Sequence, residues 1–236
     1  MSLELIQPDL NYYRTALIQF MEEFRAYGET RFNHEPVLAE TNFEDYVKGL
    51  LNTAREIHIA PGYVPQTTFW TLLDNQIIIG TLRIRHDLTP HLETEDGHIG
   101  YHIRPSYRRR RLGTAQLALG LEKAKTIGLE GVLITCDTDN PVSTRIIVKN
   151  GGKFINGVIS PSTHKPVSRY WIQIDENSMY QTQVNSLPAS KYSNIASWKE
   201  GNYLLCNQGD WLMGKQAAQD GEDISLLLAA SGNHGL

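Results

Sequence analysis

Leu10, Tyr13, Leu17, Phe20, Met21 and Phe24 fall mostly three or four residues apart, with Asp9 ahead of them and Gly28 behind. This spacing predicts an amphipathic helix with its own start and stop signals. A short apolar run, Leu3 to Ile6, precedes it as a strand candidate. Phe43, Tyr46, Val47, Leu50, Leu51 and Ala54 repeat the helical pattern, and Thr41 with Glu44 has the spacing of a capping box. The period then shortens to that of strands. "TTFWTLLD" and "QIIIGTLRIRH" are β-rich runs separated around Asp74-Asn75, a pair suited to a tight antiparallel hairpin.

A polar loop from Asp87 to Gly97 leads to "HIGYHIR", His98 to Arg104, which reads as another strand stopped by Pro105. Leu112 to about Ile127 is helical and apolar on two faces, and "GVLITCD", Gly131 to Asp137, has the continuous apolar character of a buried strand. Strand, helix, strand implies a parallel crossover. Asn140 and Pro141 then open a helix that Gly151-Gly152 closes, and "KFINGVI" and "SRYWIQI" complete the series as strands. From Asp175 onward Asn, Gln, Ser and Gly become common and apolar residues come in short bursts. The shift predicts a domain at 1–175 and a small accessory segment at 176–236, read as a β meander because Trp198, Trp211 and several leucines exceed what a solvated tail carries.

Composition narrows the function classes. The chain has 236 residues, 41% hydrophobic and 20% charged, with a formal net charge of -4. No apolar run approaches the roughly eighteen residues of a membrane span, and the N-terminus lacks a secretory pattern, so the expected compartment is the cytoplasm with no membrane partner. Cys136 and Cys206 show no CxxC pairing, which suggests reduced thiols rather than a disulfide framework or zinc site. His98 and His102 on one strand lie about 13 Å apart and cannot share an ion, so no metal is expected. An overall acidic chain argues against nucleic acid.

Against that background "SYRRRRLGTAQ", Ser106 to Gln116, concentrates four arginines between a strand and a helix. Successive backbone N–H groups and the positive end of the helix form an anion site there, and Arg108, Arg109, Arg110 and Arg111 add fork-shaped donors. The stretch "GYHIRPSYRRRRLGTAQLAL" resembles the GCN5-related N-acetyltransferase (GNAT) superfamily, whose pattern is Gln or Arg, two residues, Gly, one residue, Gly or Ala. Counted from Pro105, Arg108 takes the first place, Gly113 the last, and Arg111 stands where the first glycine belongs. A second register, Arg110-x-x-Gly113-x-Ala115, fits the letters but lengthens the turn.

The resemblance implies a mixed α/β fold with a mostly antiparallel central sheet, a parallel splayed pair of strands and flanking helices. It also implies acetyl-CoA as cosubstrate, held by residues 108–111 with Leu112, Gly113 and Thr114. Asn140 and Ser143 lie near the pantetheine arm, and the Ile103 backbone N–H polarises the thioester. The tyrosine that many members use as general acid falls at Ile147 here, so none is assigned. An amine of pKa near 10.4 is deprotonated about once in 2,500 at pH 7, a penalty of about 4.6 kcal/mol, which calls for a base. His98 is the first candidate and Glu93, Glu95 and Asp96 in the preceding loop are the next, Glu95 foremost, an acidic cluster that also suits a cationic amine. Tyr101 reads as packing on the far face and Cys136 as core. The expected activity is N-acetylation of a primary amine on a small molecule or peptide, with a homodimer as the expected assembly. The alternative is a non-catalytic acyl-CoA-binding or partner-binding module.

Overall fold

The structure, a computed structural model, describes residues 2–29, 36–57 and 59–174. Four antiparallel strands, β1 (Leu3–Ile6), β2 (Gln66–Leu73), β3 (Ile77–Arg85) and β4 (Ile99–Ile103), form a sheet in that order. A second antiparallel sheet contains β5 (Gly131–Asp137), β6 (Lys153–Ile159) and β7 (Pro166–Gln173) in the order β5-β7-β6. The helices are α1 (Arg14–Ala26), α2 (Pro36–Thr41), α3 (Phe43–Ala54), the one-turn α4 (Pro90–Thr94), α5 (Leu112–Ile127) and α6 (Pro141–Lys149). The mixed α/β architecture expected from the sequence is present. The expectations for 176–236, for the boundary at 175 and for Cys206 lie outside the described residues.

Two apolar clusters cover the two faces of the first sheet. Leu17, Phe20, Met21 and Phe24 of α1 and Phe43, Tyr46 and Val47 of α3 pack with Trp70, Leu72 and Ile78 on one face. Leu117, Leu121 and Ala124 of α5 pack with Phe69, Leu82, Ile84 and Ile99 on the other, joined by Val132, Ile134 and Tyr170 of the second sheet. Ile78 and Leu82 are four residues apart on one strand yet face opposite ways. The register steps from Thr71 opposite Gly80 to Leu72 opposite Ile78, so Ile79 is an extra residue that inverts the side-chain alternation. Past this bulge Thr81, Arg83 and Arg85 share the α1 and α3 face.

Several local predictions are refined. Asp74 and Asn75 both adopt positive φ, 50° and 57°, as a two-residue hairpin turn requires. Asp9 closes a turn by accepting from the Asn11 and Tyr12 N–H groups, 2.8 and 2.9 Å, and α1 begins only at Arg14. Asn42, rather than Thr41, caps α3 by accepting from Asp45 N–H at 3.2 Å. The polar loop after β3 contains α4, capped by Thr89.

The two sheets meet where β4 and β5 begin. His98 N–H donates to Leu133 O at 2.7 Å. Three residues further along each strand, Tyr101 Oη lies 2.9 Å from Ser143 Oγ and Cys136 Sγ 3.6 Å from Thr144 Oγ1, both on the first turns of α6. The strands therefore run in the same sense but belong to different sheets, splayed beyond the join. Gly97, at φ +63°, holds its backbone so close to Leu133 that a Cβ would strike the Leu133 carbonyl.

Candidate active site

The arginine turn follows directly from the end of β4. Pro105–Tyr107 make a single tight turn, Arg108 is extended (φ -68°, ψ 166°), and Arg109 and Arg111 both take positive φ, 60° and 62°. Arg111 is the residue immediately before α5, at φ 62° and ψ 5°, and its side chain does not cap the helix. The missing glycine is thus replaced by an arginine in the same left-handed conformation rather than by a different turn. Backbone reversals of this kind gather N–H groups into an anion-binding concavity, and α5 adds its positive end. Asn42 and Asn140 cap α3 and α6 with their own side chains, whereas the start of α5 keeps its amides clear of any side-chain cap.

The four arginines do different jobs. Arg109 and Arg111 are exposed, and the Arg110 guanidinium lies 5.3 Å over the Tyr107 ring. Arg108 spends its fork inside the protein: its two terminal nitrogens donate to Glu29 at 2.6 and 2.7 Å, and Nε donates to Ile103 O at 3.0 Å. Arg104 pairs with Glu23, which also accepts from Ser106 N–H at 2.6 Å and Ser106 Oγ at 3.0 Å. Glu23 and Glu29 thereby fasten the turn to the C-terminal end of α1, and the Arg108 contact holds the Glu29 carboxyl below its usual range. Sequence reasoning missed both glutamates. The available signal was an acidic residue in the last turn of a helix, where the macrodipole disfavours it unless a cation answers.

The gap between β4 and β5 leads from this turn. Arg104 N–H donates to Ile79 O at 2.7 Å, so by antiparallel alternation the N–H groups of Ile103 and Tyr101 point away from β3 toward the gap. Tyr101 packs against the core and also reaches Ser143 with its hydroxyl. Ser143 is held by its own N–H, which donates to Asn140 Oδ1 at 3.0 Å. Burial pushes the Tyr101 phenol well above its usual range and the Cys136 thiol upward as well. Both groups keep their protons. Ile147, on the inner side of α6, is fully buried. Gly113 lets α5 and α6 close together, since a Cβ there would come within 2.9 Å of Ile146 Cδ1. Leu112 is buried, and Thr114 O accepts from Asn150 Nδ2 at 3.2 Å, tying the two helices again.

His98 and Glu95 are both engaged elsewhere. His98 Nδ1 accepts from Leu133 N–H at 2.9 Å, which leaves the proton of the neutral ring on Nε2 and no lone pair for a substrate proton. Burial lowers its pKa. Glu95 accepts from Ser160 Oγ at 2.7 Å, Ser162 N–H at 2.8 Å and Ser162 Oγ at 2.6 Å. Its side chain is 13% exposed, and these donors lower its pKa to about 2. So weak a base does not take a proton from an ammonium group.

The model of the GNAT acetyltransferase domain matches residues 10–153. The chain belongs to the GNAT acetyltransferase family. It is therefore an acetyltransferase domain. Among similar solved structures, RimJ of Mycobacterium smegmatis with a coenzyme A disulfide has a TM-score of 0.59 at 18% identity, covering 78% of this chain and 88% of that one. RimL, a ribosomal L7/L12 α-N-protein acetyltransferase in complex with coenzyme A, has a TM-score of 0.55 at 18% identity, with 75% and 97% covered. The microcin C7 self-immunity acetyltransferase MccE with acetyl-CoA and AMP has 0.53 at 14% identity, with 73% and 92% covered. No curated protein matches this GNAT chain. No helix among its described residues is long and apolar enough to cross a membrane.

Proposed function

We propose that this acetyltransferase moves the acetyl group of acetyl-CoA to a primary amine of a small molecule or peptide by direct attack, without an acyl-enzyme. The observation that carries this reading is the gap between β4 and β5. It closes at the His98–Leu133 join, opens toward the uncapped start of α5, and is bordered by the Tyr101–Ser143 hydroxyl pair. The turn at Arg109–Thr114 binds the pyrophosphate through backbone N–H groups, with the exposed Arg109 and Arg111 adding charge. Ile103 N–H polarises the thioester carbonyl, an interaction of a type worth about 2.7–4 kcal/mol in other acyl transfers. Asn140 fixes Ser143, and Ser143 orients Tyr101.

Tyr101 takes the role that Ile147 cannot: its retained Oη proton is available to the departing thiolate. Cys136, kept protonated by burial, is a poor nucleophile, which supports direct attack. His98 holds the two sheets in register and Glu95 pins the loop before β4, so the amine loses its proton to solvent before it attacks. Isothermal titration with acetyl-CoA, followed by thiol release over an amine panel, tests the reading. Micromolar binding and turnover are expected, and no binding at millimolar acetyl-CoA overturns it.

A further inference from the structure

The α1 and α3 face of the first sheet holds a row of residues that the reaction above does not use. Thr68, Arg83 and Gly100 lie directly opposite one another across β2, β3 and β4, so their side-chain positions share that face. Thr68 is 6% exposed, and its hydroxyl is buried without a hydrogen-bond partner among the described residues. Arg83 is partly buried, and no carboxylate, carbonyl or hydroxyl of the described residues forms a hydrogen bond or ion pair with its guanidinium. A Cβ built on Gly100 would meet nothing within 4 Å, so the row ends in open space.

The charge around this row does not balance. Arg85, two residues along on the same face, donates to Gly97 O at 3.0 Å and lies 3.4 Å from the Asp96 carboxylate. Asp96 is therefore engaged by Arg85, and its effect on Arg83 is weaker than the opposing effects of burial and of Arg85 itself. Tyr46 of α3 is the other neighbour that favours the Arg83 charge. A desolvated guanidinium without a counter-ion is costly, and the planar fork matches a carboxylate better than any other common group. The site borders the reaction gap. Neighbouring strands are about 4.8 Å apart, so Arg83 lies one strand from Gly100, and the next residue, Tyr101, turns its N–H into the gap.

We propose that Arg83, with Thr68, binds an anionic group of the acceptor, so that the acetylated amine lies within a few bonds of a carboxylate. Free amino acids and peptides with an acidic residue at or next to the N-terminus have this chemistry. The proposal rests on the N-acetyltransferase reading and specifies its substrate class. It replaces the expectation of a cationic acceptor, because Glu95 is occupied by Ser160 and Ser162 and Asp96 by Arg85.

The test uses acceptors matched in the amine and differing only in charge: dipeptide amides with the same N-terminal residue followed by aspartate or asparagine, glutamate or glutamine. For the full-length protein, kcat/KM is expected to favour the acidic member by at least about tenfold, mainly through KM. In Arg83→Gln the ratio falls to about one, and Arg83→Lys restores part of it, while acetyl-CoA affinity by titration is unchanged in both. A wild-type ratio of one, or an Arg83→Gln variant that slows acidic and neutral acceptors equally, overturns the proposal. Should Arg83→Gln fail the circular dichroism check for folding, Thr68→Val is read on the same ratio, with a fall expected. Titration of N-acetylaspartate against N-acetylasparagine separates the two layers. Selective, Arg83-dependent binding without acetyl-CoA binding keeps this site and removes the transferase reading. Acetyl-CoA turnover without charge selectivity does the reverse.

Discussion

Arg111 shows how one residue can depart from a motif and still satisfy its geometry. The left-handed conformation costs a residue with a side chain roughly 1–2 kcal/mol, and Arg111 adopts it where a glycine would do so freely. If backbone N–H groups hold the anion, Arg111→Gly should keep acetyl-CoA affinity within about threefold and change stability by no more than about 1 kcal/mol. Arg111→Val, β-branched and unsuited to positive φ, should weaken binding about tenfold or more. Titration calorimetry with urea unfolding distinguishes these outcomes, and equal losses in both variants would assign the binding to the guanidinium instead. Tyr101 offers a second contrast. Tyr101→Phe removes the proton but keeps the ring, so kcat should fall by about 10²–10⁴ while acetyl-CoA affinity stays the same. Because burial raises the Tyr101 pKa, the wild-type rate should persist at alkaline pH where an ordinary tyrosine ionises. With His98 engaged, log(kcat/KM) should rise with pH toward the amine's own pKa and show no plateau near 6.5.

Elements are held in register by His98 and Glu95. His98 joins β4 to β5 through its ring and its backbone, so His98→Ala leaves Leu133 N–H without an acceptor, at a cost of about 1–3 kcal/mol. His98→Gln, which carries an acceptor oxygen, should recover part of that. The folded pKa of His98 lies below its unfolded value of 6.5 because burial disfavours the cation. Its contribution is therefore complete above pH 6.5 and is lost as pH falls through the folded value. Urea unfolding of wild type and His98→Gln across that window should show the flatter profile in the variant, with desolvated His86 contributing equally to both. Glu95 acts lower on the scale. Its pKa is depressed from 4.5 to about 2, so its clamp on Ser160 and Ser162 is complete above 4.5 and fades toward 2, a loss that Glu95→Gln should not show. The same elements explain what the sequence revealed. Apolar spacing located the strands and long helices, and Asn140-Pro141 marked the start of α6, because those signals are local. The roles of His98 and Glu95 depend on Leu133, Ser160 and Ser162, which lie 35, 65 and 67 residues away. Tyr101 packs against the core as its strand position implies, but alternation says only which face it shares, not that α6 places Ser143 against its hydroxyl.

Over the whole molecule, positive charge is placed rather than general. The chain carries a formal net charge of -4, yet residues 108–111 form an unbroken cationic run at the start of α5. Glu23 and Glu29 pair with Arg104 and Arg108, while Arg109 and Arg111 are exposed on the turn that the proposed function assigns to phosphate. A polyanionic cosubstrate is thus repelled by the molecule at long range and attracted by the turn at short range. Raising ionic strength from about 0.01 to about 0.15 M shortens the Debye length from about 30 to about 8 Å, which screens both the distant repulsion and the exposed arginines. The amides at the α5 start are close enough to escape much of that screening. Acetyl-CoA affinity should therefore fall by only a few-fold over this range, and Arg109→Gln with Arg111→Gln together should remove most of the residual salt dependence while retaining measurable binding. Titration of wild type and the double variant at the two ionic strengths decides the point. A wild-type loss of a hundredfold or more would mean that the side chains, not the backbone turn, carry the phosphate site.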